Sequence, residues 1–187
     1  DFGPVEQAQH AGRWDDAAQI LVDAARRLQA GGAECVVLCT NTMHKVAGQI
    51  QAAISVPFLH IAEPAGEAAL AIDARTVGLL GTAFTMEQDF LKERLTAQGL
   101  QVLVPEAEDR QAVHRIIYDE LCVGVISDAS RERYQQVIEA LAARGAQAII
   151  LGCTEISLLI KPEHSELPLL DTTELHARAA VAFALGD

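Results

Sequence analysis

The feature that most constrains the fold is an internal repeat of helix end, Gly-Ala, apolar strand and Cys-Thr. The repeat reads GAECVVLCTN from Gly32 and GAQAIILGCTE from Gly145. Downstream of each copy, VPFLHIAEPAGEAALAI from Val56 is echoed by LPLLDTTELHARAAVAFAL from Leu167. Self-similarity over stretches this long indicates that one supersecondary plan occurs twice. The sequence therefore predicts two halves of related structure.

Hydrophobic periodicity assigns helices and strands in alternation along both halves. We predict helices at residues 15–30, 41–53, 63–72, 86–98, 110–121 and 130–144. We predict strands at residues 35–38, 56–61, 76–82, 100–105 and 148–155. Strands that alternate with helices of about ten residues or more are typical of parallel sheets joined by right-handed crossovers. The predicted fold class is therefore α/β.

The two halves differ at their beginnings. The second half opens with the strand TVGLLGT at Thr76, far ahead of Cys153, whereas only 38 residues precede Cys39. The first half therefore lacks an equivalent opening strand. We expect that a strand and a glycine-rich turn like Gly78–Thr82 precede Asp1 in a longer protein.

Composition and charge exclude several functional classes. The 187-residue chain is 50% apolar, and no apolar run approaches the roughly 18 residues of a membrane helix. Its formal charge of −12, spread along the sequence, repels nucleic acid and anionic membranes. The four cysteines are too scattered for a secreted disulfide scaffold and show no zinc-ligand spacing. We therefore expect a reduced, cytoplasmic protein with no metal site and no nucleic-acid or membrane partner.

Cys39 and Cys153 occupy equivalent places at the ends of two predicted strands. In parallel sheets, ligands gather beyond the carboxyl ends of the strands, where helix N-termini expose N–H groups. A thiol at a helix N-terminus has a lowered pKa. A thiolate and a thiol on opposite faces of a carbon atom are the base and the acid that inversion of a stereocentre requires. We predict that these two cysteines act together, whereas Cys35 and Cys122 are small core residues.

Hydroxyl and amide side chains adjoin both cysteines. Such groups donate hydrogen bonds to a carboxylate whose charge grows as a carbanion forms, and the negative charge of the chain makes local donors necessary. The candidates are Thr40, Asn41, Thr42 and Thr154. Thr82, which follows the glycine turn of strand 76–82, either joins them or caps a helix, and Thr85 with Gln88 fits a capping box.

Both cysteine motifs resemble those of the aspartate/glutamate racemase family, the cofactor-independent amino-acid racemases. LCTNTMHKVA is similar to the first motif of that family and LGCTEI to the second, and the similarity extends to VPFLHIA, GLLGT, TMEQDF and LPLLDTTELHA. The resemblance implies two pseudo-symmetric flavodoxin-like lobes with parallel sheets and an active site in the cleft between them. We place the first lobe at residues 1–72, joined by the C-terminal helix 172–187, and the second at 73–171.

The resemblance also implies an activity and roles for residues. Cys39 and Cys153 are then the acid/base pair that inverts the Cα of an amino acid without pyridoxal phosphate, metal or nucleotide. Thr40, Asn41, Thr42 and Thr154 surround the substrate. Glu155 matches the Glu of aspartate-type members, where glutamate racemases have His, which favours the aspartate-type or broad-specificity subgroup. Members often form homodimers, so we expect a homodimer here.

Several alternatives remain open from the sequence. His44, one turn after Cys39, either orients that thiol, donates to the substrate or is an ordinary histidine. Glu155 either hydrogen-bonds near Cys153 or caps the next helix. Among functions, the rivals are a related two-cysteine enzyme such as hydantoin racemase or maleate isomerase, and a non-catalytic module that binds a small carboxylate. Thiol redox chemistry is a further rival and predicts a disulfide between Cys39 and Cys153.

Overall fold

The computed structural model describes residues 3–186 of the chain, so Asp1, Phe2 and Asp187 lie outside the described residues. Two compact units are present. The smaller unit consists of the described part of Asp1–Leu38 together with Met43–His60. The larger unit consists of Cys39–Thr42 and the described part of Ile61–Asp187. This division differs from the predicted lobes, and the lobe boundaries stay a prediction. Cys39–Thr42, residues 61–72 and the described part of the C-terminal helix predicted at 172–187 were assigned to the first lobe but group with the larger unit.

The smaller unit is built from helices packed around a short parallel pair of strands. Its elements are α1 (Gly3–His10), α2 (Trp14–Ala30), β1 (Val36–Val37), α3 (Ala47–Ala53) and β2 (Phe58–Leu59), with a 3-10 helix over Thr42–Val46. β1 and β2 pair in parallel, with Val36 opposite Phe58. Helix α2 ends at the predicted Gly31-Gly32, where Gly32 has a positive φ of 93°. Alanines and branched side chains of α2 bury against Met43 and Ile50.

The larger unit is a four-stranded parallel sheet with helices on both faces. Its strands are β3 (Thr76–Gly81), β4 (Gln101–Leu103), β5 (Ala148–Gly152) and β6 (Leu169–Asp171), in the order β4-β3-β5-β6. Its helices are α4 (Ala62–Ala71), α5 (Ala83–Glu87), α6 (Asp89–Ala97), α7 (Ala107–Arg115), α8 (Asp128–Ala143), α9 (Ile156–Leu159) and α10 (Thr172–Leu185). A π-helix over Ile116–Glu120 and 3-10 helices over Leu121–Val123 and Pro162–His164 complete it.

The two faces of this sheet bury separate apolar cores, because side chains alternate between the faces of a strand. Leu80, Ile149 and Leu151 belong to one core, which also contains Tyr134 of α8. The other core contains Leu79 and Ile150 with side chains of α4 and α6. Strands covered on both faces read as continuous apolar runs, as TVGLLG and AIILG do.

The predicted α/β class with parallel sheets is confirmed. Several boundaries were wrong. The predicted helix 86–98 is two helices separated at Gln88, whose ψ of 158° is extended. The predicted strand 148–155 ends at Gly152, and the helix predicted at 110–121 begins at Ala107 and continues as the π-helix. Cys122 is exposed and Cys35 is half-buried, so the expectation of two small core residues was wrong for Cys122.

Candidate active site

Cys153 directly follows β5, which lies between β3 and β6 and has five buried residues. The last residue of β5, Gly152, pairs with Gly81 of β3. A Cβ atom on Gly152 would lie 2.9 Å from the main-chain oxygen of Leu80, so the backbones approach too closely for a larger residue. Because the two strand ends are held this closely, Cys153 is fixed in place with a side chain only 8% exposed.

The Cys153 thiol donates a hydrogen bond to Glu155 Oε2, with Sγ and Oε2 2.9 Å apart. The same carboxylate oxygen accepts a second hydrogen bond from Thr154 Oγ1 at 2.7 Å. Glu155 is also the residue before α9, but its side chain makes no capping hydrogen bond there. Of the two interpretations of Glu155, hydrogen bonding near Cys153 is confirmed and helix capping by its side chain was wrong.

Burial raises the pKa of the Cys153 thiol, and the neighbouring Glu155 carboxylate raises that pKa further. The expected lowering of the pKa at a helix N-terminus was therefore wrong for this thiol. One physical reason is that α9 has only four residues, so its dipole is small. The other is that both the loss of water on burial and the negative charge of the neighbouring carboxylate disfavour a thiolate. The backbone N–H of Glu155 acts in the opposite sense but ranks below these effects. Cys153 is accordingly a protonated thiol at neutral pH.

Thr82 directly follows β3 and is the N-cap residue of α5. Its hydroxyl oxygen accepts a hydrogen bond from the Thr85 backbone N–H at 3.4 Å, so the capping role is confirmed. The same oxygen lies 3.2 Å from Thr42 Oγ1 and 3.3 Å from Thr85 Oγ1. The proposed capping box of Thr85 and Gln88 was wrong, because Thr85 lies inside α5. Thr82 thus connects a chain of three hydroxyl groups at this strand end.

The segment Cys39–Thr42 is held on the carboxyl edge of the larger sheet by two consecutive side chains. Asn41 Nδ2 donates to Thr172 Oγ1 at 3.0 Å, and Thr172 follows β6. Thr42 Oγ1 is hydrogen-bonded to Thr82 Oγ1, and Thr82 follows β3. β5 lies between β3 and β6. The segment that begins with Cys39 is therefore anchored on both sides of the strand end that carries Cys153.

The residues of this segment differ in exposure. Cys39 is exposed, Thr40 is half-buried, and Asn41 and Thr42 are buried. Among residues 3–186, the carbonyl oxygen of the Asn41 side chain is one of two buried side-chain polar atoms without a hydrogen-bond partner; the other is Gln88 Oε1. A buried acceptor without a donor costs about 1–3 kcal/mol.

His44 lies in the smaller unit, in the 3-10 helix Thr42–Val46. Its buried ring lies 4.3 Å from the His60 ring and 5.7 Å from the Phe58 ring, measured between centroids. Aromatic packing of this kind fixes the orientation of an imidazole. An effect of His44 on the Cys39 thiol stays a prediction.

Two residues at the site were missed by sequence reasoning. Thr172 was overlooked beside Asp171, whose side chain caps α10 by accepting from the Thr173 N–H at 2.9 Å. Tyr134 is fully buried, and its pKa is raised by burial first and then by the charges of Cys153 and Glu120. The sequence contained a signal for Thr172, because this residue, like the other candidates, lies where a strand is followed by a helix. No signal identified Tyr134, which looks like an ordinary core residue of α8.

Residues 3–186 contain no cluster of three His, Cys, Asp or Glu side chains able to hold a metal ion. None of the helices in this range has the length and apolar character required to cross a bilayer.

Comparison with known proteins gives a consistent result. The family model described as Asp/Glu/Hydantoin racemase matches residues 1–180. A crystal structure from Yersinia pestis, provisionally named an Asp/Glu racemase, is 50% identical with a TM-score of 0.93, covering 99% of this chain and 81% of that one. An aspartate racemase homologue from Pyrococcus horikoshii is 33% identical with a TM-score of 0.84, covering 95% of this chain and 78% of that one.

Among curated proteins, the broad specificity amino-acid racemase RacX of Bacillus subtilis is 25% identical over 175 residues, which are 90% of this chain and 72% of RacX. The chain spans less of two glutamate racemases that it also matches, 58% and 61% of their lengths.

Proposed function

Because the chain belongs to the Asp/Glu/hydantoin racemase family, we propose that it inverts the Cα of an amino acid by two-base proton transfer between Cys39 and Cys153, without a cofactor. The family and the names of the relatives support an amino-acid racemase. The observation that carries the assignment of the cysteines is the anchoring of Cys39–Thr42 on both sides of the strand end at Cys153. That arrangement supports two thiols acting on one small molecule.

The two cysteines have opposite roles in the proposed reaction. Cys153 is a buried thiol, which suits it to deliver a proton. Cys39 is exposed, and in this mechanism it acts as the thiolate that removes the Cα proton. The C–H bond breaks as the S–H bond of Cys39 forms, and the carbanion then takes the proton of Cys153. The opposite enantiomer reacts with the form that this step leaves, Cys39 as thiol and Cys153 as thiolate, and reverses both transfers. The two forms interconvert when one thiol releases a proton to water and the other takes one up, so atoms and charge balance over the full cycle.

Glu155 makes the second cysteine a strong base once it has lost its proton. Its carboxylate raises the pKa of Cys153, and a thiol of higher pKa forms a more basic thiolate. We propose that Glu155 is a positioning residue for Cys153 and that Thr154, which donates to the same oxygen, keeps the carboxylate oriented. His44 is proposed to hold the helix that follows Cys39.

Substrate binding is proposed for Thr40, Asn41, Thr42, Thr82 and Thr154. Hydroxyl, amide and backbone N–H donors stabilise the carboxylate charge that grows in the transition state, and they offset a formal charge of −12 that disfavours anions elsewhere. Glu155 and the likeness to RacX and to an aspartate racemase homologue favour aspartate, glutamate or a broader range of amino acids.

We further propose that the protein works as a homodimer in the cytoplasm. The cytoplasmic assignment is supported by four scattered cysteines in a chain of ordinary size. The homodimer rests on the family alone, and light scattering of the purified protein measures it directly.

The decisive experiment is proton exchange in deuterated water. The purified chain is incubated with single L-amino acids, and deuterium at Cα is followed by NMR together with optical rotation. We expect deuterium incorporation with loss of optical rotation for at least one amino acid. If every amino acid retains its Cα proton and its rotation, the amino-acid racemase assignment is wrong.

One rival activity has a specific observation behind it, since the matching family model includes hydantoin racemases. The same assay with 5-substituted hydantoins tests it, and maleate is added to detect cis-trans isomerisation. A non-catalytic binding module would bind these compounds without any exchange. Exchange or isomerisation therefore identifies the enzymes, and binding measured by calorimetric titration without either identifies the module.

A further inference from the structure

Thr172 makes a buried hydrogen-bonded connection between the main chain of β5 and the side chain of Asn41. Its side chain is 1% exposed. Thr172 Oγ1 donates to the main-chain oxygen of Leu151 at 2.8 Å. Asn41 Nδ2 donates to the same Oγ1 at 3.0 Å. The three groups therefore form a chain that runs from the sheet to the segment carrying Cys39.

The direction of the hydrogen bonds in this chain is dictated by chemistry. A main-chain carbonyl only accepts, so the single proton of the Thr172 hydroxyl must be donated to Leu151. The hydroxyl then has only lone pairs left for Asn41, and the amide must turn its NH2 group toward Thr172. As a result the amide oxygen of Asn41 points away from Thr172, where it is buried without a partner.

Helix capping does not explain the burial of this hydroxyl. Asp171, not Thr172, caps α10, and its Oδ1 accepts from the Thr173 N–H. Thr173 itself is exposed. The two adjacent threonines at the start of α10 thus differ: Thr172 is buried and hydrogen-bonded to Leu151 and Asn41, whereas Thr173 is exposed.

We propose that Thr172 is a positioning residue that locks the Asn41 amide with its oxygen toward the ligand, so that this position selects an N–H donor such as the ammonium group of an amino acid. The proposal rests on the proposed function, in which Asn41 binds substrate. Without Thr172, the amide rotates by half a turn at little cost and offers its NH2 group instead. A donor then faces the ammonium group, and the preference for an amino acid over its deaminated analogue is lost.

The test compares binding of a racemic amino acid with binding of the same molecule without its amino group. Calorimetric titration with DL-aspartate and with succinate gives the two dissociation constants, and a racemic titrant produces no heat from net turnover. DL-glutamate with glutarate is the second pair. The variants are Thr172→Val, which removes the hydroxyl but keeps the shape, Thr172→Ser, which restores the hydroxyl, and Thr173→Val as the matched control.

We expect Thr172→Val to weaken binding of the amino acid by about tenfold, the usual effect of losing a hydrogen bond to a charged group. Binding of the dicarboxylate without the amino group should change by less than about twofold. Thr172→Ser and Thr173→Val should keep the wild-type ratio of the two constants. If Thr172→Val does not fold, Thr172→Ala, which leaves room for a water molecule, takes its place.

An unchanged ratio in Thr172→Val, or an equal loss in Thr172→Ser, overturns the role of Thr172 while leaving the racemase assignment intact. A wild-type protein that neither binds nor racemises any amino acid overturns both. A wild-type protein that racemises amino acids but binds succinate as tightly as aspartate removes only the selection of an ammonium group.

Discussion

The two copies of the Cys-Thr repeat share a sequence plan but differ in the residue two positions after each cysteine. In the first copy this residue is Asn41, whose amide reaches away to Thr172. In the second copy it is Glu155, whose carboxylate turns back to accept a hydrogen bond from the Cys153 thiol. The first cysteine is exposed and the second is buried. One plan thus gives one thiol open to solvent and one thiol held protonated.

The difference follows from the strands that precede the cysteines. β1 has two residues, and Val37 is only half-buried. β5 has five residues, all buried between two neighbouring strands. A thiol at the end of a central, fully covered strand is taken out of water, whereas one at the end of a short strand is not. Two cysteines at equivalent positions of a repeat therefore need not have equivalent chemistry.

The largest effect is expected from replacing either cysteine by serine. A positioned acid or base contributes about 10²–10⁴-fold to a rate, so Cys39→Ser and Cys153→Ser should each lower racemisation by about that factor. Loss of Cα inversion is measured by polarimetry or chiral chromatography. Cys122→Ser, which removes a different exposed thiol, should keep full activity. Substantial racemisation by Cys153→Ser would mean that the buried thiol is structural and that the two-cysteine mechanism is wrong.

The next largest effect contrasts glycines of the two units. Gly152→Ala brings a Cβ to 2.9 Å from the Leu80 main-chain oxygen and 3.0 Å from Leu79 Cδ1. Overpacking against backbone should lower the free energy of unfolding by roughly 1–3 kcal/mol. Gly48, in α3 of the smaller unit, has no atom within 4 Å of such a Cβ, so Gly48→Ala should stabilise by about 0.5–1 kcal/mol.

Urea unfolding of both glycine variants, followed by circular dichroism, measures these changes. Equal stability of Gly152→Ala and the wild type would contradict the close approach of β3 and β5, on which the placement of Cys153 depends.

The repeat and the apolar runs predicted the strand ends where the candidate residues lie to within about three residues. Cys39, Cys153 and Thr82 were found because a buried strand must stop where polar residues begin. That change from apolar to polar residues is visible within a few adjacent positions of the sequence. Fold class was predictable for the same reason, since alternation of strands and helices restricts the sheet to parallel order.

Long-range partners were not predictable from the sequence. Asn41 and Thr172 are 131 positions apart, and only the order of strands in the folded sheet brings them together. The raised pKa of Cys153 was missed because the helix N-terminus suggested the opposite direction, whereas burial and Glu155 decide it. The break at Gln88 was missed because the apolar periodicity continues across it.

A smaller effect is expected from making the second copy more like the first. Glu155→Gln replaces the carboxylate by an amide, as in Asn41, and should lower the pKa of Cys153 because a negative charge is removed. A less basic thiolate in the reverse direction should reduce kcat by about tenfold for one enantiomer and less for the other. Initial rates at saturating concentrations of pure L- and D-substrates measure this asymmetry in kcat, since kcat/KM must stay equal for two enantiomers of equal free energy. Glu163→Gln, at an exposed carboxylate, is the control, and equal losses in both directions would argue against a role for Glu155 through Cys153.

The smallest effect concerns stability at alkaline pH. The pKa of Cys153 is raised in the folded protein, so its contribution to stability is fully present below the thiol pKa of the unfolded chain. As pH rises beyond that value, unfolded chains ionise and folded ones do not, and the contribution decreases. With an unfolded thiol pKa of about 8.5, the loss between pH 7 and pH 9 is about 0.8 kcal/mol.

Urea unfolding at both pH values under reducing conditions should show this loss in the wild type but not in Cys153→Ser. All other titrating groups are common to the two proteins. If the difference between their free energies of unfolding did not change with pH, Cys153 would ionise as readily in the folded chain as in the unfolded one.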